Sequence, residues 1–354
     1  MVSGTGRFAR DTRKAVVVES ATVVDVVPPP EPGSPAILRT RVPGVDLTRW
    51  MSGNREAVDV ALSTHGGVLF RGFDGMTDEA DLQRALVDLG HRSMTYLERS
   101  TPRRTLNSAV YTSTEYPAHE EIALHCELTA AIQVPRLVWF FAVQPPETGG
   151  ATPTGSTVAI LRRLPTELVD RFRRYGWKLI RNYGNGYGPG WREAFQTDDP
   201  AVVEAYCDSH AVTYSWRGDL LRTVQVRRAI ETHPRTGDEV WFNHVAFWHD
   251  SALADDVRAE MLRDVGVDGL PYRVTYGNDE PIDAADIALI KAAYLAERRE
   301  VPWQRGDLMI IDNLLLAHGR RPFTGTRKIV VAMTDGHERA PFTPGSGDGP
   351  VVAA

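Results

Sequence analysis

Only two of the 354 residues are cysteines, Cys126 and Cys207. Two thiols are too few for a disulfide framework or for a zinc site built from thiolates, and such sparse use of cysteine is typical of a reducing compartment. We therefore expect that any metal bound by this protein is held by nitrogen and oxygen atoms.

The sequence also lacks long hydrophobic segments. No run of about 18 apolar residues occurs, and the polar, basic start MVSGTGRFARDTRK is not followed by an apolar stretch. Neither secretion nor membrane insertion is expected, and the predicted location is cytoplasmic.

An excess of positive charge is absent as well. Forty Lys and Arg residues face 46 Asp and Glu residues, with the two signs interspersed, for a formal net charge of −6. Because no long basic face is available to neutralise phosphates, nucleic acid is not an expected partner.

The hydrophobic content, 42%, is that of a globular protein. Residues 1–35 end in the proline-rich VVPPPEPGSP and are predicted to be a partly irregular N-terminal arm, while residues 339–354 are predicted to be a flexible tail. Neither a linker nor an internal repeat divides the rest, so we expect residues 36–338 to form a single domain.

Short strand-like runs carry most of the polar motifs, and helical periodicity is confined to residues 156–175, 253–264 and 283–299. This irregular order does not give the regular alternation of a doubly wound sheet. The predicted fold is mainly β with helices (α+β), a jelly roll with helical insertions. The strand-like runs are GGVLFRGF, EIALHCEL, RLVWFFAV, TVQVRRAIE, EVWFNHVAF, DLMIIDNLL and RKIVVAM.

One strand-like run, IALHCELTAA, contains a candidate half of a metal site. Because a strand alternates faces, His125 and Glu127 project to one side and Cys126 to the other. The H-x-E pattern alone also fits a solvated strand face. His318, after the apolar run Leu314–Ala317, is the candidate third ligand, although it also fits a core histidine bonded to a backbone carbonyl. Two histidines and one carboxylate form a facial site with open positions for iron.

Two further residues could bind a carboxylate near such a metal. Arg327 begins an apolar strand after His318, and its guanidinium fork suits bidentate recognition. Thr152 follows a Gly-Gly turn and could share the same carboxylate through its hydroxyl. Taken singly, a surface arginine and an ordinary turn threonine are the alternatives.

In combination the motifs resemble the taurine dioxygenase-like (TauD/TfdA) family of Fe(II)/2-oxoglutarate-dependent oxygenases, most closely its amino-acid hydroxylases from nonribosomal-peptide pathways. The resemblance runs from about Gly66 to Asp335. The motifs that carry it are HGGVLFRGF, RSTPRR, YTSTEYP, LHCE, PPETGGATP, HPRTGDEVWFNH and GDLMIIDNLLLAHGRRPFTGTRKI.

The resemblance implies specific roles. His125, Glu127 and His318 match the iron-binding triad, and Thr152 and Arg327 match the residues that hold the distal carboxylate of 2-oxoglutarate. The implied fold is a double-stranded β-helix. The implied reaction uses Fe(II), 2-oxoglutarate and O2 to hydroxylate an unactivated C–H bond of an amino acid or a derived compound, free or bound to a carrier protein, and releases succinate and CO2.

Alternatives to hydroxylation stay open. Desaturation, epoxidation or cyclisation would use the same triad, whereas the carboxylate of Glu127 argues against halogenation. From other classes, a non-catalytic metal- or small-molecule-binding jelly roll and a zinc or nickel hydrolase are the rivals. A small-molecule substrate is the expected partner, and a homo-oligomer is not excluded.

Two positions depart from the family pattern. Cys126 stands where the related hydroxylases usually have asparagine; it is expected to face away from the metal and to leave metal binding intact. Val331 stands where taurine dioxygenase has the arginine that binds the substrate sulfonate, so a sulfonate substrate is disfavoured.

Several other polar residues allow more than one interpretation. Arg320 and Arg321 could bind a carboxylate but also fit surface or supporting positions. His233 and His244 are rival metal ligands in principle, although a turn and a satisfied strand end fit them better. The segment 177–195, rich in Tyr, Gly and Trp, is predicted to be a mobile lid, with a packed Ω-type loop as the alternative.

Overall fold

The structure, a computed structural model, describes residues 23–29, 31–94, 110–112 and 116–345. Most of the predicted N-terminal arm, the motif RSTPRR, part of YTSTEYP and the end of the predicted tail lie outside the described residues.

The largest sheet has seven strands in the order β1-β2-β3-β15-β6-β18-β4. Neighbouring strands are antiparallel except β2 and β3, which are parallel. The bounds are β1 (Val24–Val27), β2 (Ala36–Thr40), β3 (Gly67–Arg71), β4 (Val110–Thr112), β6 (Gln133–Gln144), β15 (Leu308–Asp312) and β18 (Lys328–Glu338).

The long strand β6 shows why this sheet is buried on both faces. Trp139 and Phe141 lie on one face, in a hydrophobic cluster with residues of the first three helices. Val138 and Phe140 lie on the other face, in a separate cluster. Because successive side chains of a strand point to opposite sides, the unbroken apolar run RLVWFFAV serves both faces. The covering helices are α1 (Leu47–Gly53), α2 (Arg55–His65) and α3 (Glu79–Asp88).

A smaller layer lies opposite the inner face of the large sheet. Its strands β5 (Ile122–His125), β16 (Leu316–Arg320) and β8 (Thr154–Ser156) pair in the order β5-β16-β8. Leu316 of this layer packs in the same cluster as Val138 and Phe140 of β6. The strand β7 (Thr148–Gly149) pairs with β17 (Phe323–Thr324) beside it. The two layers enclose one interior, which confirms the predicted jelly roll with helices outside.

A third sheet contains four strands in the order β10-β11-β9-β14. They are β9 (Trp177–Tyr183), β10 (Thr213–Arg217), β11 (Leu220–Arg227) and β14 (Tyr272–Tyr276), and a separate hairpin joins β12 (Ile230–Thr232) to β13 (Glu239–Trp241). The structure differs here from the predicted lid over 177–195. Residues Trp177–Tyr183 form an interior strand paired on both sides, and only 184–190 is loop. The residues of WKLIRNY are mostly buried because this strand pairs with β11 on one side and β14 on the other, which explains the difference.

Four of the ten described helices lie in the stretches with helical periodicity, at 157–163, 166–175, 255–265 and 284–296. The other six lie outside those stretches and are not predicted by the periodicity, at 47–53, 55–65, 79–88, 191–195, 200–209 and 245–248. Pro165 interrupts the pattern over 156–175, and the structure has two helices there because proline lacks the N–H that a continuous helix needs. The helices that follow α3 are α4 (Thr157–Arg163), α5 (Thr166–Tyr175), α6 (Trp191–Phe195), α7 (Pro200–Ser209), α8 (Val245–Trp248), α9 (Asp255–Val265) and α10 (Ala284–Ala296), with short 3-10 turns at Asp250–Ala252 and Val267–Gly269. Among the described residues, no helix combines the length and the hydrophobicity needed to cross a membrane.

The close contact between β5 and β16 predicts that adding one methyl group at Gly319 destabilises the protein. A Cβ atom on Gly319 would lie 2.4 Å from the carbonyl oxygen of Ile122, so Gly319→Ala forces the two backbones apart. We expect the free energy of unfolding, measured by chemical denaturation, to fall by about 1–3 kcal/mol. Gly53→Ala is the control, because a Cβ atom there has no neighbour within 4 Å. Equal stability of Gly319→Ala and the parent protein would contradict this strand contact.

Candidate metal centre and adjoining cavities

The pairing of β5 with β16 brings two of the predicted site residues face to face. His125 lies opposite His318 in the antiparallel register, and the centroids of their rings are 4.6 Å apart. The chain turns directly after β5, where Leu128 has a φ of 56°. Glu127 therefore lies in this turn, beyond the strand itself, and its Oε1 is 3.9 Å from Nε2 of His125 and 3.4 Å from Nε2 of His318.

These three side chains form a compact donor set. One ligand atom from each of His125, Glu127 and His318 lies within 4.8 Å of the others. The Nδ1 atom of His125 is 2.9 Å from the carbonyl oxygen of Ala123, which places a proton on Nδ1 and leaves the lone pair of Nε2 directed at the cluster. Two imidazole nitrogens and a carboxylate oxygen at one point fit a divalent transition metal such as iron.

Asn313 fixes the turn that carries Glu127. Its Oδ1 accepts a hydrogen bond from the backbone N–H of Glu127 at 2.7 Å, and its Nδ2 donates to the carbonyl oxygens of Glu127 at 3.0 Å and Pro135 at 3.1 Å. The side chain is fully buried. Sequence reasoning missed this residue; the available signal was a polar Asp-Asn pair inside the otherwise apolar DLMIIDNLLLA.

The neighbouring Asp312 stabilises the turn between β15 and β16. Its Oδ1 accepts from the backbone N–H of Leu314 at 3.0 Å, and its Oδ2 is 3.1 Å from Nε2 of the buried His233. The other ring nitrogen of His233 accepts from the N–H of Thr236 at 3.1 Å. His233 therefore lies in a turn, as the sequence suggests, with both ring nitrogens bonded away from the donor set.

Cys126 points away from the donor set into the core. It is fully buried in the cluster that contains Leu124 and Trp241. Burial raises the pKa of its thiol, so the thiolate form is disfavoured. The predicted orientation of Cys126 agrees with this position.

A small cavity of about 30 Å³ adjoins the donor set and is lined by both predicted carboxylate-binding residues. Nη2 of Arg327 donates to Oγ1 of Thr152 at 3.3 Å, and its Nε donates to the carbonyl oxygen of Gly150 at 3.0 Å. Trp303, which sequence reasoning missed, donates to the same Thr152 oxygen from Nε1 at 3.1 Å. Burial and, to a smaller extent, the charge of Arg320 lower the pKa of Arg327 to about 9.

On the other side of His125 and Glu127 lies a much larger cavity of about 580 Å³. Its lining is mostly apolar, with Arg181 as a buried cation in the wall. The guanidinium of Arg181 lies 4.5 Å from the ring centroid of Tyr183 and 5.1 Å from that of Tyr272. Sequence reasoning did not single out this arginine, although a charged residue inside the apolar strand WKLIRNY was a signal.

His244 contributes to the wall of the large cavity. Its ring stacks on Trp248 with centroids 4.4 Å apart, and Nδ1 lies 2.5 Å from Oγ1 of Thr129. Burial lowers the pKa of His244 to about 3, so the imidazole is neutral near pH 7. His244 is therefore a satisfied polar residue at the start of α8, as expected, and it lies beside the cluster of His125, Glu127 and His318.

Comparison with known proteins agrees with this geometry. Residues 29–334 match the family described as "Taurine catabolism dioxygenase TauD, TfdA family". The dapdiamide synthesis protein DdaC of Enterobacter agglomerans is 39% identical over 279 residues, which cover 78% of this chain and 84% of DdaC. A clavaminate synthase-like protein of Arabidopsis thaliana is 26% identical over 89% of this chain and 94% of its own length.

Solved structures show the same fold. PvcB of Pseudomonas aeruginosa has a TM-score of 0.54 at 16% identity, over 94% of this chain and 95% of PvcB. A putative alpha-ketoglutarate-dependent 2,4-D dioxygenase of Burkholderia xenovorans has a TM-score of 0.52 at 16% identity, over 88% of this chain and 97% of its own. The predicted double-stranded β-helix is thereby confirmed.

The contacts of Asn313 predict that its truncation weakens the whole site. Asn313→Ala leaves the buried N–H of Glu127 and two buried carbonyl oxygens without their partners, which should lower the free energy of unfolding by roughly 2–3 kcal/mol. Binding of a divalent metal ion, measured by calorimetry, should weaken as well. Asn278→Ala is the control, because that side chain is exposed and makes only a long hydrogen bond of 3.3 Å, from the N–H of Glu280, so the substitution should cost less than about 1 kcal/mol. Unchanged stability and metal affinity of Asn313→Ala would contradict this role.

Proposed function

Because this chain belongs to the TauD/TfdA family of Fe(II)/2-oxoglutarate-dependent dioxygenases, we propose that it hydroxylates an unactivated C–H bond of an amino acid or an amino-acid-derived compound in a biosynthetic pathway. The cofactor is Fe(II), and 2-oxoglutarate and O2 are the cosubstrates. The observation that carries the proposal is the position of His125, Glu127 and His318 between a small cavity with a carboxylate-binding pair and a large apolar cavity.

In this proposal the residues have separate tasks. Nε2 of His125, Nε2 of His318 and the carboxylate of Glu127 hold the iron, and Thr152 with Arg327 binds the distal carboxylate of 2-oxoglutarate. When bound, these groups supply the oxidising chemistry, in which 2-oxoglutarate is decarboxylated to succinate and CO2 and dioxygen provides the oxygen atom of the product. The protein positions the cosubstrate and the substrate at the iron and excludes water from them.

The charges near the donor set support this division. The small cavity is lined by Arg327 and Arg320, so a dianionic keto acid is favoured there. Around the large cavity, Phe247, Trp248 and Leu179 exclude water from the C–H bond that reacts. His244 is neutral at pH 7 because of its burial, and so adds no further positive charge beside the ligands.

Three considerations support an amino-acid-like substrate. The large cavity buries the Arg181 guanidinium, which could bind a substrate carboxylate in an otherwise apolar wall. Val331 offers no cation for a sulfonate. The relative DdaC is a dapdiamide synthesis protein, which favours a role in biosynthesis.

Free and carrier-bound forms of the substrate are both compatible with this cavity. Desaturation, epoxidation and cyclisation are alternative outcomes of the same cofactor chemistry. A cytoplasmic location and a homo-oligomeric state stay predictions from the sequence.

The proposed ligand set can be tested by anaerobic titration. Adding Fe(II) and then 2-oxoglutarate should produce a weak visible metal-to-ligand charge-transfer band, because the keto acid chelates the metal. His125→Ala should abolish the band, since it removes one of three ligands. His119→Ala is the control, because the His119 side chain is 83% exposed and is not one of the three clustered ligands. Absence of the band in folded, iron-loaded parent protein would refute the assignment.

The substrate class can be tested by mass spectrometry of succinate release. A panel of amino acids, each free and as a carrier-protein thioester, should contain members that raise succinate formation above the rate without substrate. A product heavier by one oxygen atom would identify hydroxylation, or epoxidation if the substrate contains a carbon–carbon double bond, whereas loss of two hydrogens would identify desaturation or cyclisation. If neither amino acids nor their thioesters stimulate succinate release, the proposed substrate class is wrong.

A further inference from the structure

Arg320 adds positive charge to the small cavity, but its contacts with a loop beside the large cavity are not explained by the roles proposed above. It follows His318 by two residues on β16, so both side chains lie on the same face of the strand. Arg320 is only 5% exposed and lines the small cavity together with Thr152 and Arg327.

The guanidinium of Arg320 uses its outer nitrogens to hold a loop. Nη1 donates to the carbonyl oxygen of Tyr116 at 2.9 Å, and Nη2 donates to those of Pro117 at 2.6 Å and Glu120 at 3.0 Å. These acceptors are neutral backbone oxygens of a loop whose side chains are exposed. The charge of Arg320 is therefore not neutralised by these three bonds.

Not every donor of Arg320 has a hydrogen-bond partner within the described part of the chain. Among the described residues, no hydrogen-bond acceptor reaches its Nε. Arg320 also has no carboxylate partner within the described part of the chain, and a buried charge without such a partner at the wall of a cavity points to a ligand there. The second cation in the same wall, Arg327, indicates that this ligand is an anion.

The loop that Arg320 holds also borders the larger cavity. Tyr116, Glu121 and Ile122 line that cavity, and the Arg320 guanidinium lies 5.9 Å from the ring centroid of Tyr116. Ile122 pairs with Arg320 in the register of β5 and β16. Arg320 thus lines the small cavity and, through its two outer nitrogens, holds the loop that borders the large cavity.

We propose that Arg320 is a second binding residue for the carboxylate cosubstrate and that it transmits occupancy of the small cavity to the loop 116–122 at the large one. An anion in the small cavity would attract and fix the guanidinium of Arg320, and the fixed guanidinium would hold the three loop carbonyls in place. Cosubstrate and substrate binding would then favour each other, since such coupling is reciprocal. This inference rests on the proposed function, because the anion is taken to be 2-oxoglutarate.

The test measures binding and backbone protection rather than turnover. The dissociation constant of 2-oxoglutarate is determined by anaerobic calorimetry on the Fe(II)-loaded parent protein, Arg320→Gln, Arg320→Lys and Arg321→Gln. Arg321→Gln is the matched control, because it removes a neighbouring charge whose ion-pair partners are the carboxylates of Glu121 and Glu300. Hydrogen exchange of the amides over 116–122 is followed in the parent protein and in Arg320→Gln, with and without 2-oxoglutarate.

We expect Arg320→Gln and Arg320→Lys to raise the dissociation constant roughly tenfold or more, as for loss of a charged hydrogen bond, and Arg321→Gln to change it less than about twofold. In the parent protein 2-oxoglutarate should slow exchange over 116–122, and in Arg320→Gln this slowing should be lost. If the parent protein binds 2-oxoglutarate but Arg320→Gln binds it equally well, or if exchange over 116–122 does not respond, the inference is overturned while the proposed function stands. If the iron-loaded parent protein binds no 2-oxoglutarate, both fail.

Discussion

The antiparallel pairing of β5 with β16 is the contact on which the site depends. It sets His125 opposite His318, and it requires Gly319 because a side chain at that position would meet the carbonyl oxygen of Ile122. A shift of one residue in this register would turn one histidine toward the opposite face of the layer. The metal geometry is therefore a consequence of strand pairing, which the apolar residues of the two layers stabilise.

Strand pairing does not determine the position of Glu127, and buried polar residues hold it in place. Glu127 lies in a turn beyond β5, where the regular ladder no longer determines its position. Asn313 supplies three hydrogen bonds to that part of the chain, and Asp312 holds the adjacent turn together with His233. Since the side chains of Asn313, Asp312 and His233 are bonded in this way, this polar network adds rigidity at the point where a ligand must be placed accurately.

The two cavities that adjoin the donor set differ in the charge of their walls. The small cavity has Arg320 and Arg327 in its wall and suits a compact anion, whereas the large cavity is mainly apolar with Arg181 as a buried cation. A keto acid and a larger organic substrate would thus reach the same metal from different sides. Arg320 lines the small cavity and holds the loop that borders the large one, so we propose that it couples binding in the two cavities.

Much of this protein could be predicted from the sequence by itself. The spacing in IALHCELTAA indicated that His125 and Glu127 meet and that Cys126 faces away, although the strand ends at His125 and Glu127 lies in the turn after it. Pro165 indicated a break between two helices. The combination of motifs identified the family, the fold and the cofactor chemistry, because residue types and spacings in those motifs are set by the metal and the keto acid. The apolar runs identified the main strands for the same local reason, namely the period of two.

Only the tertiary structure decided which polar residues meet. Asn313, Trp303 and Arg181 looked ordinary in the sequence because their partners are distant in the chain and are brought near by folding. The Tyr, Gly and Trp content of 177–195 predicts a lid, but pairing with β11 and β14 makes residues 177–183 an interior strand. Local pattern determines an element, whereas a hydrogen bond between distant residues depends on how the layers pack, and that information is not contained in any short stretch of sequence.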